Sequence, residues 1–255
     1  MRLLAAVMAL GLAAMLAAPP AAANPFEAMT VEEREAFRAE LRAYLLENPE
    51  VLEEAIAVLE ERRAQLQAEA DIALVTANAE ALFEDAGSWV GGNPEGDITV
   101  VEFIDYRCGY CRRAYQEVEE LVATDGNIRF IIKEFPILGP QSLTASQLAV
   151  AALQTGGPDA YKRVHDALMT WPGDIGPAAV ARIVADAGLD PEAMAVAMES
   201  DAVNQVIEAN HALAMRLRIT GTPTFVIGDE MVRGYLPLAG MQAQIAAIRA
   251  ASEDG

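Results

Sequence analysis

An apolar stretch of strand length, Val100-Val101-Glu102-Phe103-Ile104, runs through Asp105-Tyr106-Arg107 into Cys108-Gly109-Tyr110-Cys111. An amphipathic helical pattern (Ala114, Val118, Leu121, Val122) follows at once. This strand–turn–helix succession sets Cys108 at a helix N-terminus. There, unpaired backbone N–H groups and the helix dipole favour a thiolate over a thiol. Cys111, three residues on, shares that face and is placed to attack a mixed disulfide formed at Cys108. The chain of 255 residues has no other cysteine. As a structural staple, so short a loop would contribute only on the order of 2 kcal/mol. The placement points instead to disulfide exchange with other proteins.

Residues 1–23 read as a secretory leader: Arg2, an uncharged apolar stretch over 3–18, and a small-residue cleavage site at Ala21-Ala22-Ala23. That stretch breaks at Pro19-Pro20, short of the roughly 20 residues a spanning helix needs. Asn24 is the expected mature start. The chain has 38 acidic residues against 18 Lys and Arg, a net charge of −20. A field of that sign repels nucleic acid and anionic membrane surfaces. Against this background Arg107, Arg112 and Arg113 cluster around the cysteines, either as solvated helix-start side chains or as Coulomb support for a Cys108 thiolate.

Residues 24–92 read as a helical region ending in a linker. Thr30 to Glu33 fits a capping box. One helix follows, with Phe37, Leu41, Tyr44 and Leu45 on one face. Asn48-Pro49 then suits the cap and first position of a second helix extending toward Phe83. Leu52, Leu59 and Leu66 recur every seven residues beside Val51, Ile56 and Ile72, a stripe that a lone helix cannot bury and that favours self-association. Gly87 and Gly91-Gly92-Asn93-Pro94 read as a hinge. From about Asp97 the pattern is β-α-β, then a helical block over about 142–217, then β-β-α: two halves of one sheet with an insertion between them. His165 and His211 fall in that block and read as packing or surface residues. The methionines beyond the leader (Met29, Met169, Met194, Met198, Met215, Met231, Met241) are scattered and read as core filling.

Cys108-Gly109-Tyr110-Cys111 after the first of these strands, with Gly221-Thr222-Pro223-Thr224-Phe225 before a later one, resembles the DsbA-like family over residues 93–255. The resemblance implies an α/β thioredoxin fold with a helical insertion, and a cis Thr222–Pro223 bond. It also implies that the Thr222 main chain and Pro223 face the cysteines and receive an extended substrate by strand addition. Gly109 and Tyr110 join Thr222 and Pro223 as expected substrate contacts, Tyr110 also tuning the redox potential. Glu102, six residues before Cys108, matches a buried acid of related thioredoxin-fold proteins. Desolvated there, it would have a raised pKa and relay the proton of Cys111, and Lys133 is a candidate partner from the neighbouring strand.

Residues 37–59, including Tyr44-Leu45-Leu46-Glu47-Asn48-Pro49, resemble the N-terminal segment of the ScsC-like suppressor-of-copper-sensitivity group. Some of its members trimerise through this segment and act as disulfide isomerases. The resemblance thus implies a periplasmic homo-oligomer, a trimer favoured, acting on unfolded or misbridged secreted proteins with a membrane redox partner. No organic cofactor and no metal are expected beyond the Cys108–Cys111 pair. The alternatives are a monomeric dithiol oxidase and a Cu(I)-binding module, since two thiolates suit a soft cation.

Overall fold

A computed structural model describes residues 29–253; the leader expected at 1–23 lies outside them. The described residues divide into two compact units that part between Glu61 and Arg62. Helix α1 (Val31–Glu47) opens with the expected capping box: Thr30 Oγ1 accepts from the Glu33 N–H, and Glu33 Oε2 accepts from the Thr30 N–H at 2.8 Å. Asn48 does not cap the next helix. Its Nδ2 donates back to the Tyr44 carbonyl, closing α1. Helix α2 (Glu50–Ala77) therefore begins after Pro49. No residue of α1 is buried, and Leu41, Tyr44, Leu46, Leu52, Ile56 and Leu59 are all exposed. Nor does α2 reach Phe83: it ends before Asn78, whose Nδ2 takes the Leu74 carbonyl, and a short α3 (Ala79–Phe83) follows.

The expected hinge is instead a strand. β1 (Trp89–Gly92) pairs antiparallel with β3 (Ile128–Glu134), from Trp89 opposite Ile132 to Gly92 opposite Arg129. The two glycines that suggest a linker are what the edge requires. A side chain on Gly91 would overlap the Trp89 ring, and Gly92 has a φ of +68°. The sheet thus starts ahead of the boundary expected at residue 93.

The remaining elements follow the expected pattern. They are β2 (Ile98–Ile104), α4 (Gly109–Asp125), β3 (Ile128–Glu134), α5 (Pro140–Thr170, kinked at Gly157), α6 (Pro177–Asp186), α7 (Pro191–Met198), α8 (Asp201–Arg216), β4 (Thr224–Ile227), β5 (Glu230–Arg233) and α9 (Leu238–Glu253). The strand order is β1-β3-β2-β4-β5, with β2 central and parallel only to β3. Alternation along β2 sends Ile98, Val100 and Ile104 to the face covered by Cys111, Ala114, Val118 and Leu121 of α4 and by Met241 and Ile245 of α9. Val101 and Phe103 go to the other face, with Val75, Leu82, Leu213 and Leu217. Among the described residues no helix is long and apolar enough to cross a membrane.

The same alternation overturns the expected Glu102–Lys133 pair. Glu102 lies opposite Ile132, and Lys133 lies opposite Phe103, so the two side chains leave the sheet on opposite faces. Lys133 is fully buried, its Nζ donating to the Ala81 carbonyl at 2.8 Å and to Asp85 Oδ2 at 2.9 Å. Breaking a buried pair from one side costs more than replacing it with apolar atoms. Asp85→Asn should therefore destabilise the protein by about 3 kcal/mol in urea unfolding, because it strands a buried ammonium. Lys133→Met should cost less than half of that, and equal losses would mean that the attraction, not the desolvated lysine, dominates this joint.

Candidate active site

Cys108 caps α4 without a side-chain capping bond, and its Sγ lies 3.2 Å from the Thr222 carbonyl oxygen. The Thr222–Pro223 peptide bond is cis. Two motifs more than a hundred residues apart thus meet at one sulfur. Cys108 is held down to about 5. The Cys111 thiol donates to its sulfur, which outweighs the cost of partial burial; the Thr222 hydroxyl and the backbone N–H groups of Cys111 and Tyr110 add to the effect. The helix-start amides act as the sequence suggests, while the arginines, which are not among these causes, are engaged elsewhere. Arg107 Nη1 donates to the Gly173 carbonyl and pairs with Asp174 at 3.3 Å; Arg112 donates to the Trp171 carbonyl; Arg113 lies over the Tyr235 ring. They fasten the cysteine-bearing segment to the insertion and to the loop before α9.

Cys111 is fully buried. Burial pushes its thiol far up, and its bond to Cys108 and the nearby Glu102 charge push the same way. One sulfur is thus a thiolate at neutral pH and the other a thiol. Glu102 is buried at 4% exposure, and its Oε1 has no hydrogen-bond partner. Burial, then the charges of Glu119 and Cys108, push it up to about 8. With one oxygen buried and unpartnered, the anion is poorly solvated and the carboxyl is held toward its protonated form at neutral pH. Gly109 opens α4, and Tyr110 is 61% exposed, stacked on Tyr235 as an aromatic lip beside the cysteines.

Two further buried carboxyls surround the site. Asp105 accepts from the Arg107, Ile137 and Leu138 backbone N–H groups at 2.7 to 2.9 Å and from Ser142 Oγ. Glu134 accepts from Tyr106 at 2.8 Å, Tyr161 at 2.6 Å and Ser146 at 2.7 Å. Burial raises Glu134 to about 7. Tyr106 spends its one proton on Glu134, so His165 Nδ1, 3.0 Å away, is the donor of that pair. His165 is a packed residue stacked on Tyr161, and burial holds it down to about 3, hence neutral. His211 packs against the Phe135 ring. The sequence reading missed Asp105 and Glu134, although the signal that flagged Glu102, a carboxyl within an apolar strand, marks Glu134 as well. Among the described residues, no group of three or more His, Cys, Asp or Glu is placed to hold a metal ion.

A helix-start thiolate facing a cis-proline carbonyl, with its buried partner thiol beside a protonated acid, defines a thioredoxin-fold dithiol protein. Residues 99–246 match the DSBA-like thioredoxin domain. The chain belongs to that family of thiol–disulfide oxidoreductases. Residues 33–65 match the copper resistance protein ScsC N-terminal domain. The chain is 44% identical to a thioredoxin-like oxidoreductase from Silicibacter pomeroyi DSS-3 of known structure, with a TM-score of 0.62, over 68% of this chain and 97% of that one. Salmonella enterica Typhimurium BcfH superposes with a TM-score of 0.72 at 28% identity, over 87% of this chain and 98% of that one. Among curated proteins, Na(+)/H(+) antiporter NhaA 3 of Salinispora tropica is 27% identical over 162 residues, 61% of this chain but 24% of that one. The chain thus spans about a quarter of that relative's length.

Two outcomes follow from these protonation states. Thiolate absorbance against pH should show one transition near 5 from Cys108; a first transition at 8 or above would sink the assignment. Glu102 binds its proton more tightly folded than unfolded, so between its ordinary value of 4.5 and about 8 it costs stability as pH rises. The stability advantage of Glu102→Gln should therefore grow with pH across that window, by up to about 1.4 kcal/mol per unit. A difference independent of pH in denaturant titrations would show that Glu102 is ionised throughout.

Proposed function

We propose that the protein is a periplasmic thiol–disulfide oxidoreductase acting on secreted proteins, foremost as a disulfide isomerase. The observation that carries the reading is the 3.2 Å approach of the Cys108 sulfur to the Thr222 carbonyl, which brings the thiolate beside a backbone edge where an extended polypeptide can dock. The Cys108 thiolate attacks a substrate disulfide; one Cys108–substrate disulfide forms and a substrate thiolate leaves. In isomerisation, another substrate thiolate then attacks the substrate sulfur of that bond and releases Cys108 unchanged. In the escape route, Cys111 attacks Cys108 Sγ, the substrate leaves reduced and the Cys108–Cys111 disulfide forms. Cys111 must first lose its proton, and Glu102, near enough for its charge to act on that thiol, supports the reading as its acceptor. Formation of the mixed disulfide removes the Cys108 charge that helps hold Glu102 protonated. Burial and the Glu119 charge remain, so this loss moves Glu102 only part of the way toward the carboxylate that the step needs as a base.

This cycle requires no organic cofactor, only a redox partner at the membrane that keeps the dithiol reduced. The uncovered apolar side chains of residues 41–59 support self-association, which would present several thiolates to one substrate, with a trimer as the favoured assembly. The low value at Cys108 favours a second reading, a dithiol oxidase, because stabilising the reduced form makes the disulfide more oxidising. Burial of Cys111 works against a Cu(I) carrier, which needs both thiols deprotonated.

Refolding of scrambled ribonuclease, with reduced ribonuclease alongside, separates the two catalytic readings. The isomerase recovers the scrambled enzyme, whereas an oxidase acts only on the reduced one. Removing residues 24–61 should lower the mass in light scattering to that of a monomer and weaken scrambled-substrate recovery several-fold. A longer cut through Asp85 would also remove the partner of Lys133. Unchanged assembly after the shorter cut would discard the oligomeric mechanism.

A further inference from the structure

Beside the cysteines, Thr220, Gly221, Thr222, Pro223, Arg233 and Gly234 line an open cleft of about 270 Å³. It shares Thr222 and Pro223 with the site already described. It is lined by glycines, threonines and the Pro223 ring, and its one charged group is Arg233. That guanidinium is fixed from behind. Asp71, 3% exposed on α2, takes it with both carboxylate oxygens, Oδ1 accepting from Nη2 at 2.9 Å and Oδ2 accepting from Nη1. Gln67 Nε2 donates to the same Asp71 at 2.8 Å, and the Leu217 carbonyl takes a further Arg233 N–H. Arg233 also lies opposite Thr224 in the β4–β5 ladder, and the next residue, Gly234, donates its N–H to the Pro223 carbonyl at 2.9 Å.

An arginine has five N–H donors. Three are used here, which leaves the Nε–H and one Nη1–H without an acceptor among the described residues, on a side chain one-third exposed. Immobilising a guanidinium with a buried carboxylate removes its rotamer freedom before any ligand arrives, so its remaining donors bind at a reduced entropic cost. The carboxylate also cancels most of the net charge. The cleft therefore selects by donor geometry rather than by the sign of the ligand's charge.

We propose that Arg233 is a specificity-determining residue that receives a carboxamide or carboxylate side chain from the polypeptide docked on Thr222. The inference rests on the reading of the site as one that exchanges disulfides with polypeptides. An extended strand paired at Thr222 turns alternate side chains toward the protein. Near the reacting cysteine, one such position meets the cleft. There Gln, Asn, Glu or Asp supplies the acceptor that the free N–H groups lack. An aliphatic chain leaves those donors desolvated and unpaired, and a lysine brings a second donor to them.

The test uses the full-length reduced protein and short peptides whose single cysteine is joined to thionitrobenzoate. The Cys108 thiolate attacks the peptide sulfur, one disulfide breaks as another forms, and thionitrobenzoate is released and read by its absorbance. Gln, Glu, Leu or Lys is placed in turn at each position within two residues of the cysteine. At one position the Gln and Glu peptides should react about tenfold faster than the Leu peptide, the worth of one hydrogen bond to a charged group, with Lys slowest. Arg233→Gln should bring that ratio to near one. Because the readout is a ratio between peptides, a general loss of reactivity cancels. If Arg233→Gln leaves Asp71 unpaired and the protein unfolded, the double variant Asp71→Asn/Arg233→Gln removes both charges and takes its place. Brisk reaction with all peptides at equal rates, or a ratio that survives both variants, overturns this inference alone. Failure to react with any peptide overturns the proposed function with it.

Discussion

The carboxylate of Asp105 joins the three parts of the catalytic unit. It sits at the end of the central strand, fully buried, and accepts the Arg107 N–H at the start of the cysteine turn, the Ile137 and Leu138 N–H groups after β3, and the Ser142 hydroxyl at the start of the insertion. A buried anion is tolerated only when donors replace its lost hydration. These four donors come from three separate segments, so satisfying the charge also fixes their relative positions. The Asp105 carbonyl then takes the Cys108 N–H at 3.0 Å, which sets the turn that delivers the sulfur to Thr222.

Three buried carboxyls lie close around the cysteines, and their partners separate their roles. Asp105 has four donors and Glu134 three hydroxyls, and both act as anchors. Glu102 shares the same apolar face of the sheet as Val100 and Ile104, yet its Oε1 has nothing to bind. The same desolvation thus meets two carboxyls held by donors and one pushed toward its protonated form, because the cost of an anion depends on the donors that meet it. A similar division operates at the sulfurs. Cys108 is stabilised as a thiolate by hydrogen bonds at a helix start, and Cys111, one turn on, is held protonated by burial.

Much of this was legible in the residues. The apolar run into Cys108, the short strand patterns at Ile128, Thr224 and Met231, and the glycine and proline punctuation between helices located four of the five strands and the helical insertion, because these signals are local. Where the reading failed, the competing cause was distant in sequence. Trp89-Val90-Gly91-Gly92 looks like a linker until β3 provides an edge to pair with. Lys133 looks like a partner for Glu102 until the register places them on opposite faces. The arginines look like support for the thiolate until the insertion and the loop before α9 provide carbonyls, an aspartate and an aromatic ring to hold them.

The sequence by itself determined the chemistry: one pair of cysteines, spaced to share a helix face, with a glutamate in the preceding strand and a Gly-Thr-Pro-Thr-Phe segment far downstream. Spacing along a helix or a strand follows from backbone geometry alone, so it needs no knowledge of the fold. Only the tertiary structure decided which groups solvate which charges. It brought Thr222 to Cys108, left Glu102 Oε1 without a partner, and gave Asp105, Glu134 and Arg233 partners as far as 162 residues away along the chain. Hydrogen bonds and desolvation act over a few ångströms of space, and the distance along the chain says nothing about which polar groups will share it.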